Sequence, residues 1–223
     1  MWVKICANTN VEDALLAAEL GADAVGFVFA PSVRQVTVAQ VAEITPHLPD
    51  GIEKVGVFPA WTVEEIASAV RDAGLTAVQL HGGFDPALVR RLHESFDGRV
   101  RIIQTVHWVV SAEESNAAEI VRKLDEIARE PAVDRVLVDS KVGAATGGTG
   151  IAFDWAAARS VFEAGADGPK LILAGGLRPE NIAEAIRQLH PWGVDVASGV
   201  EAHPGQKDLV KISQFIRGAK GLR

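Results

Sequence analysis

The chain has 223 residues, of which 48% are hydrophobic and 23% are charged, and its formal net charge at pH 7 is −7. This acidic balance argues against a general partner of nucleic acid or of an anionic membrane surface, since both require a basic face on the protein. The single cysteine excludes an internal disulfide and favours a reducing compartment, while apolar stretches such as 24–31 are far shorter than the roughly 18 residues that span a bilayer.

Eight short apolar segments alternate with longer amphipathic segments along the chain. Each apolar segment is too short for a helix, is rich in Val, Ile, Leu or Phe, and ends at Gly, Pro or polar residues, which is typical of a β-strand. These segments predict strands over Val3–Cys6, Ala24–Phe29, Lys54–Phe58, Ala77–His81, Arg101–His107, Arg135–Asp139, Lys170–Ala174 and Val194–Ser198.

The segments between the strands carry helix signals. Glu12–Leu20 and Thr62–Ala73 each precede a glycine, which predicts the end of a helix. Thr62 followed by Glu65 has the spacing of a capping box, which predicts a helix start. Further helices are predicted from the proline-marked starts Asp85-Pro86 and Arg178-Pro179-Glu180, over the charged segment Ser111–Glu130, and over Asp208–Arg217.

The strict alternation of strand and helix predicts a parallel sheet, because parallel strands need crossover connections of this kind. Eight βα units can close into a (β/α)8 TIM barrel, so we expect a single α/β domain over residues 1–223. An open doubly wound sheet is the competing architecture. The absence of Gly-x-Gly-x-x-Gly after the first predicted strand favours the barrel.

Glycine-rich turns follow the last three predicted strands. Gly147-Gly148-Thr149-Gly150 follows strand six, Gly175-Gly176 follows strand seven, and Ser198-Gly199 follows strand eight. In (β/α)8 barrels the active site lies at the carboxyl ends of the strands, and the loops after strands seven and eight frequently bind phosphate. Glycine lets backbone N–H groups approach an anion closely. The turns therefore predict a phosphate site, although tight turning alone explains any single glycine pair equally well.

Three reactive or charged side chains stand at the same end of the predicted barrel. Arg34, after strand two, is interpreted either as a clamp for a carboxylate or as a surface ion-pair partner. Cys6, at the end of strand one, is either a small buried hydrophobe or a tuned thiol at the barrel mouth. Asp139, at the end of strand six, is a ligand or catalytic group, or it caps its own loop. Strands one and six are not neighbours, so Cys6 and Asp139 could face each other across the mouth.

Metal and serine-hydrolase chemistry lack support in the sequence. The six histidines show no metal-ligand spacing, no second cysteine is present, and no Gly-x-Ser-x-Gly motif occurs. We therefore expect a site without a metal ion.

Short motifs stand at nearly every predicted strand end, in order from the first strand to the last helix. They are Lys4-Ile5-Cys6, Phe27-Val28-Phe29 with Ser32-x-Arg34-x-Val36, Val57-Phe58, Gln79-Leu80-His81-Gly82, Asp139-Ser140, Gly147-Gly148-Thr149-Gly150 with Phe153-Asp154-Trp155, Leu173-Ala174-Gly175-Gly176-Leu177 and Asp195-x-x-Ser198-Gly199-Val200-Glu201. No single motif is decisive, but their joint occurrence is specific. Together they resemble the phosphoribosylanthranilate isomerase family.

The resemblance implies a cofactor-free and metal-free isomerase of tryptophan biosynthesis. Such an enzyme converts N-(5-phospho-β-D-ribosyl)anthranilate into 1-(2-carboxyphenylamino)-1-deoxyribulose 5-phosphate by an Amadori rearrangement. Cys6 would then be the general base, Asp139 the general acid, and Arg34 the residue that holds the anthranilate carboxylate. The substrate, with its phosphate, would contact His81, Gly148, Thr149, Gly175, Gly176, Asp195, Ser198 and Gly199. One departure is Ala7, since many family members have glycine directly after the cysteine, and its methyl group is expected to crowd the loop.

Two other functions compete with this one. The related isomerase of histidine biosynthesis has aspartates at strand ends one and five, whereas here strand one ends in Cys6 and strand five passes through Thr105 and His107. A non-catalytic phosphosugar-binding barrel is the second alternative, and the presence of both Cys6 and Asp139 argues against it. The expected partner is the small phosphoribosyl substrate, with no nucleic acid and no membrane. We expect a cytoplasmic monomer or homodimer.

Overall fold

The computed structural model describes residues 1–110, 117–142, 155–165 and 168–221. Its centre is a closed barrel of parallel strands that follow one another in sequence order. Because β1 pairs with β2 on one side and with β8 on the other, where Lys4 lies opposite Asp195, the sheet has no open edge. This confirms the (β/α)8 barrel and rules out the open doubly wound sheet. The strands are β1 Trp2–Ile5, β2 Ala24–Val28, β3 Glu53–Phe58, β4 Ala77–Leu80, β5 Arg101–Val110, β6 Arg135–Val142, β7 Lys170–Ala174 and β8 Gly193–Val196.

The strand bounds agree with the sequence to within one or two residues except at one place. Strands β5 and β6 each continue three residues past their predicted ends. They pair with each other along this extension, where Val110 lies opposite Val142, so each strand supplies the hydrogen-bond partner that lengthens the other. Cys6 and His81, predicted as the last strand residues, directly follow β1 and β4.

Each strand is followed by a helix. None of the helices in the described ranges is both long and apolar enough to cross a membrane. The helices are α1 Val11–Glu19, α2 Val38–Ile44, α3 Val63–Asp72, α4 Pro86–Ser95, α5 Ala117–Ile127, α6 Trp155–Ala164, α7 Ile182–Leu189 and α8 Leu209–Lys220, with a 3-10 turn Thr45–His47 after α2.

Helix starts follow the capping signals in two of the predicted cases. At α3 the Thr62 hydroxyl accepts from the Glu65 N–H while the Glu65 carboxylate accepts from the Thr62 N–H, which is the predicted capping box. At α4 the Asp85 carboxylate caps the helix that begins at Pro86. The proline after β7 is different, because Pro179 lies in a turn and α7 begins only at Ile182.

The charged segment between β5 and β6 contains a shorter helix than the sequence predicts. The helix α5 covers Ala117–Ile127, and residues 111–116 lie outside the described part of the chain. The last predicted helical residues, Ala128–Glu130, form turns closed by hydrogen bonds such as that from the Glu130 N–H to the Ile127 carbonyl, 2.9 Å.

A hairpin that the sequence did not reveal follows β8. The Thr9 hydroxyl donates to the Gly205 carbonyl at 2.8 Å, and the Lys207 N–H donates to the Asp13 carboxylate at 3.0 Å. The hairpin is therefore tied to the segment that follows β1. The elements are a 3-10 turn Ser198–Val200, β9 Glu201–His203 and its antiparallel partner β10 Gln206–Lys207.

The amino-terminal end of the barrel interior combines a small apolar cluster with one ion pair. There Trp2 and Trp192 pack against a small inner cluster, and the Cζ atom of Arg135 lies 4.9 Å from both ring centres. Both terminal nitrogens of Arg135 donate to the Glu53 carboxylate. A second and larger cluster fills the space between the strands and the helices. The inner cluster consists of Ala24, Val55, Ala77, Ile103, Leu137, Ile172 and Ala174.

Candidate active site

The inner face of β1 changes character along the strand. Alternate residues share this face, so it carries Trp2 at the amino-terminal end, Lys4 at the centre and then Cys6. The neighbouring Gly26 leaves room for both polar groups, since a Cβ atom at that position would lie 2.7 Å from Cys6 Sγ and 2.8 Å from Lys4 Cε. The period of the strand and one glycine therefore direct the thiol into the mouth of the barrel.

The loop that carries the thiol is held by Asn8. The Asn8 side chain is fully buried and donates to the carbonyls of Ile5 and Gly26 at 2.8 and 3.2 Å. Ala7, between the thiol and this anchor, has a φ of +61°, in the left-handed region that disfavours side chains. Alanine at this position therefore carries a cost in its own backbone conformation, and the crowding expected from its methyl group stays a prediction.

A buried ammonium group occupies the centre of the barrel. Lys4 Nζ donates to Gln79 Oε1 at 2.6 Å and lies 3.1 Å from Asp195 Oδ1. Burial opposes the charge on Lys4, but the Asp195 carboxylate and the Cys6 sulfur outweigh it and raise the pKa of Lys4 above its ordinary value. Lys4 is therefore a fixed positive charge directly beneath the thiol.

Burial raises the pKa of the Cys6 thiol above its ordinary value, against the opposing charges of Lys4 and Lys207. Only the thiolate is a base or a nucleophile, and this buried environment favours the thiol at neutral pH. Burial likewise raises the pKa of Asp195, and the nearby Asp139 charge acts in the same direction, while Lys4 opposes it.

Asp139 meets two histidines at the mouth. His107 Nδ1 lies 3.5 Å from Asp139 Oδ2, and His107 Nε2 lies 3.1 Å from the His81 carbonyl oxygen. The two imidazole rings meet edge-on with 4.5 Å between their centres. Each of the three residues offers one metal-ligand atom, and these atoms all lie within 4.8 Å of one another. No metal-ligand spacing is visible in the sequence because the three groups lie on separate segments of the chain, one directly after β4 and the others within β5 and β6.

Arg34 is paired with a carboxylate of the hairpin. Its Nε and Nη2 atoms donate to the two Glu201 oxygens at 2.8 and 2.7 Å, and Lys207 Nζ donates to the same carboxylate at 3.3 Å. Burial opposes the charge on Glu201, but the Arg34 hydrogen bond and the Lys207 charge lower the pKa of that carboxyl below its ordinary value. The Glu201 hydrogen bond raises the pKa of Arg34, while burial lowers that of Lys207. Of the two interpretations of Arg34, the ion pair is observed, and it lies at the mouth.

Two of the glycine turns show why glycine is needed. Gly175 and Gly176, after β7, have φ of +91° and +65°, which glycine adopts at little cost. A Cβ atom on Gly199 would overlap the Leu177 carbonyl oxygen, so the turns after β7 and β8 touch through their backbones, with Ser198 beginning the second turn. Gly148 and Thr149 lie outside the described residues.

The described candidates converge on one end of the barrel. Cys6 directly follows β1, and Asp139 and Asp195 lie near the carboxyl ends of β6 and β8, so these three groups stand at one end of the parallel barrel. Sequence reasoning missed four further residues there: Lys4, His107, Glu201 and Lys207. The first two could have been found from their positions, since Lys4 lies two residues before Cys6, and His107 ends the predicted strand that precedes Asp139. The others depend on the unpredicted hairpin.

Comparisons with known proteins agree on one family. The family model described as N-(5'phosphoribosyl)anthranilate (PRA) isomerase matches residues 3–218. The chain is 43% identical over 226 residues to the N-(5'-phosphoribosyl)anthranilate isomerase of Pelobacter propionicus, covering 99% of this chain and 96% of the relative. It is 41% identical over 224 residues to that of Thermotoga neapolitana, covering 99% and 98%.

Solved structures give the same result. A crystal structure of phosphoribosyl anthranilate isomerase from Thermotoga maritima has a TM-score of 0.82 and 39% identity, with both chains fully covered. A second structure, of a phosphoribosyl anthranilate isomerase in complex with reduced 1-(o-carboxyphenylamino)-1-deoxyribulose 5-phosphate, has a TM-score of 0.82 and 38% identity over both full chains. A third describes monomers generated from the dimeric Thermotoga maritima protein, with a TM-score of 0.79 and 37% identity over both full chains.

Proposed function

The chain belongs to the N-(5'-phosphoribosyl)anthranilate isomerase family and is an isomerase, and we propose that Cys6 is its general base and Asp139 its general acid. The observation that carries this proposal is that Cys6 directly follows β1 and Asp139 lies near the carboxyl end of β6, so both stand at the same end of the closed parallel barrel. An aldose–ketose isomerisation needs a proton donor and a proton acceptor within reach of one sugar. A thiol and a carboxyl group at one rim supply that pair.

The substrate is bound through its two anionic groups in this proposal. Backbone N–H groups of the turns at Gly175, Gly176, Ser198 and Gly199 hold the phosphate. Arg34 uses Nε and Nη2 for Glu201, which leaves Nη1 for the anthranilate carboxylate, since a guanidinium has five N–H donors. The family resemblance adds His81, Gly148, Thr149 and Asp195 to the binding residues.

Ring opening is the first chemical step. Asp139 transfers its proton to the ribose ring oxygen, the C1–O electron pair moves to that oxygen, and the anthranilate nitrogen lone pair forms the C1=N iminium bond. The Cys6 thiolate then removes the proton from C2. The C2–H electrons form the C1=C2 bond, and the C=N electrons return to nitrogen. Loss of the proton from the C2 hydroxyl and addition of one to C1 give the ketone.

The charge state of the base depends on the substrate. Cys6 must lose its proton before it acts, yet burial raises the pKa of its thiol. The iminium carries a positive charge next to C2, and a nearby positive charge favours the thiolate. The same cation makes the C2 hydrogen more acidic. The base is therefore activated by the intermediate that it deprotonates, together with the fixed charge of Lys4.

Substitution of the two proposed groups tests these roles. Cys6→Ser and Asp139→Asn should each lower kcat at least 100-fold, because general acid–base catalysis typically contributes 10²–10⁴-fold, while product binding stays nearly unchanged. Turnover is followed by the fall in anthranilate fluorescence. The matched control is Asp134→Asn, before the opposite end of the same strand, where the carboxylate accepts from the Ile102 N–H. Full activity in either mouth variant would overturn the assignment.

Arg34 has a separate test. Arg34→Ala should raise KM with a smaller effect on kcat, since the guanidinium binds the substrate rather than moving protons. Its control is Arg91→Ala, which removes an equivalent arginine–glutamate pair, with Glu64, from the exposed surface of α4. An unchanged KM for Arg34→Ala would remove the clamp role.

The proposal also covers the setting of the reaction. We take residues 1–223 as one catalytic barrel domain that acts in tryptophan biosynthesis, in the cytoplasm, without cofactor or metal ion, as a monomer or homodimer. Complementation of a tryptophan auxotroph that lacks this step tests it in cells. The rival, a barrel that binds the phosphoribosyl substrate without converting it, predicts substrate binding with unchanged fluorescence and no growth.

A further inference from the structure

The loop after β2 and the hairpin after β8 meet at the carboxyl-terminal end of the barrel. Strand β1 pairs with β2 on one side and with β8 on the other, so it lies between these two segments. Arg34 follows β2, Glu201 begins the hairpin after β8, and Cys6 directly follows β1. The contact between Arg34 and Glu201 therefore joins the segments on either side of the strand that leads to the thiol.

Glu201 holds one edge of the Arg34 guanidinium. Arg34 Nε and Nη2 donate to the two carboxylate oxygens at 2.8 and 2.7 Å, and two parallel hydrogen bonds of this kind fix the plane of the guanidinium. The Arg34 backbone lies in a turn, where its N–H donates to the Ser32 hydroxyl at 3.1 Å. Because the side chain is long and flexible, the carboxylate determines the direction of the guanidinium more than the turn does.

The guanidinium has a second edge. It carries five N–H donors, and Glu201 receives one from Nε and one from Nη2. Nη1 and the other Nη2 hydrogen form a second fork that can bind a carboxylate through two parallel hydrogen bonds. The Glu201 side chain is 4% exposed, whereas that of Arg34 is 25% exposed. The protein carboxylate is thus buried beneath a guanidinium that a ligand can reach.

Lys207 determines the charge of this group. Its side chain is fully buried, and Nζ donates to the Glu201 carboxylate at 3.3 Å and to the Ala197 carbonyl at 3.2 Å. Arg34 and Glu201 alone would form a neutral pair. With Lys207 the three side chains carry one positive charge in excess, which a second carboxylate would balance.

The hairpin that supplies Glu201 and Lys207 is held on both sides. The Asp13 carboxylate accepts from the Lys207 N–H and from Asn10 Nδ2, each at 3.0 Å. Lys211 Nζ donates to the Glu201 backbone carbonyl at 2.7 Å. The carboxylate is therefore fixed by the fold itself, and the guanidinium that it holds needs little further ordering when a ligand binds.

We propose that Glu201 is a positioning residue for the substrate carboxylate, because it holds the Arg34 guanidinium with the Nη1–Nη2 edge available, while Lys207 supplies the charge that the ligand balances. The inference rests on the role of Arg34 proposed above. In the complex, Arg34 binds two carboxylates at once, that of Glu201 along the Nε–Nη2 edge and that of the substrate along the Nη1–Nη2 edge. Preference for a carboxylated substrate thus depends on a residue that does not touch it.

Two ligands test this role. They are the product, 1-(2-carboxyphenylamino)-1-deoxyribulose 5-phosphate, and its phenylamino counterpart without the carboxyl group. The Kd of the counterpart divided by that of the product, both measured by calorimetry, gives the carboxylate preference. Glu201→Gln should lower this preference about tenfold, since the amide NH2 group cannot accept from the guanidinium and one charge-assisted hydrogen bond is misdirected. The Kd of the counterpart should stay within about twofold of the parent value.

Glu130→Gln is the matched control. The Glu130 side chain is 6% exposed, and its carboxylate accepts from Arg90 Nε at 2.7 Å, so it is also a buried glutamate paired with a more exposed arginine. Its substitution should leave the carboxylate preference unchanged. Equal losses of preference in Glu130→Gln and Glu201→Gln would overturn the inference.

A double variant separates positioning from stability. Glu201→Gln leaves the buried Lys207 ammonium without its carboxylate, which lowers stability. Adding Lys207→Met removes that cation, so the double variant should regain thermal stability while its carboxylate preference stays low. This variant also supplies the measurement if Glu201→Gln alone does not fold. Recovery of the preference together with stability would overturn the inference, because it would show a purely structural role.

Arg34→Ala distinguishes the two possible failures. It should lower the carboxylate preference at least as much as Glu201→Gln does. A low preference in Arg34→Ala with the parent preference in Glu201→Gln overturns the role of Glu201 and leaves the proposed function standing. An unchanged preference in Arg34→Ala overturns the proposed carboxylate clamp itself, and the inference with it.

Discussion

At the amino-terminal end of the barrel one guanidinium meets one carboxylate, whereas at the carboxyl-terminal end two cations share a single carboxylate. At the first end Arg135 donates to both oxygens of Glu53 and lies against Trp2 and Trp192. The ion pair is mostly buried, with side chains 12% and 16% exposed. Its charges are balanced, and aromatic faces add to the stabilisation of the cation.

At the other end, Arg34 and Lys207 both donate to Glu201. Lys4, deeper in the barrel, is shared between Asp195 and the Cys6 sulfur. Because Arg34 and Lys207 share one carboxylate, their positive charge is only partly balanced and attracts anions. The substrate of this family brings a carboxylate and a phosphate. One end of the barrel therefore pairs its charges for stability, whereas the arrangement at the other end suits the proposed binding and proton transfer.

The largest expected effect comes from the centre of the barrel. Lys4→Met should lower the free energy of unfolding by about 3–5 kcal/mol, because it leaves the buried Asp195 carboxylate without its partner. Urea unfolding measures this loss. In the double variant Lys4→Met with Asp195→Asn, at least half of the stability should return. Equal instability of the single and double variants would contradict the account of an uncompensated charge.

Substitutions at the amino-terminal end of the barrel should change stability and leave kcat unchanged. Arg135→Met removes the pairing with Glu53 and both aromatic contacts, and should cost about 2 kcal/mol, a fall of roughly 4–8 °C in Tm for a domain of this size. The kcat of the folded variant should equal that of the parent. Arg135→Lys keeps the charge but loses the planar stacking, so its stability should lie between that of the parent and that of Arg135→Met. A lowered kcat with normal stability would contradict the claim that charges at the amino-terminal end serve stability alone.

The pH dependence of Cys6 alkylation reports the charges around the thiol at the mouth of the barrel. Since burial raises the pKa of Cys6, the thiol form prevails below that pKa and reactivity grows as pH rises through it. Iodoacetamide should react with Cys6 at least tenfold more slowly than with a free cysteine at pH 7, and the rate should still increase above pH 8.5, near the ordinary thiol pKa of about 8.5.

Lys207→Met sharpens this test, because the Lys207 charge lowers the pKa of the thiol. The midpoint of the alkylation profile should move to still higher pH. Lys211→Met is the matched control, since Lys211 Nζ donates to the Glu201 backbone carbonyl and not to the carboxylate that Lys207 contacts. Equal shifts in the two variants would show that the profile reports a general change rather than the Lys207 charge.

The smallest expected effect is a gain in stability. Ala7→Gly should raise the free energy of unfolding by about 0.5–1 kcal/mol, since relief of a left-handed alanine exceeds the added freedom of the unfolded chain. Thermal unfolding detects it. The same substitution inside a helix, Ala14→Gly in α1, should instead destabilise by about 1 kcal/mol. A loss of stability in Ala7→Gly would show that the buried methyl group matters more than the backbone strain.

The fold was predictable because its signal is local and repeated. Each strand shows the short apolar pattern between glycine, proline or polar residues, and caps such as Thr62 and Asp85 mark helix starts within a few residues. The extension of β5 and β6 was not predictable, since each strand supplies the hydrogen bonds that lengthen the other. Pairing of that kind cannot be read from either segment alone.

The site was predictable only in part, for a similar reason. Cys6 and Asp139 stand at predicted strand ends, where a barrel of this kind carries its chemistry, and their proposed roles come from the family resemblance. The contact between His107 and Asp139 depends on the register of β5 with β6. The carboxylate that Arg34 contacts comes from a hairpin far along the chain. Sequence reasoning identifies which residues are reactive, but the contacts that tune them arise from closure of the barrel.

That hairpin has a consequence for how the protein is made. Thr9 and Asp13, near the start of the chain, are bonded to Gly205 and Lys207, which are synthesised almost two hundred residues later. During translation, therefore, the hydrogen-bond partners of the segment after Cys6 are synthesised only when the chain is nearly complete. Contacts of such long sequence separation also form slowly. In a ribosome-bound chain that lacks its last quarter, the loop after Cys6 has none of these hydrogen-bond partners. The enzyme therefore becomes active only late in its biogenesis.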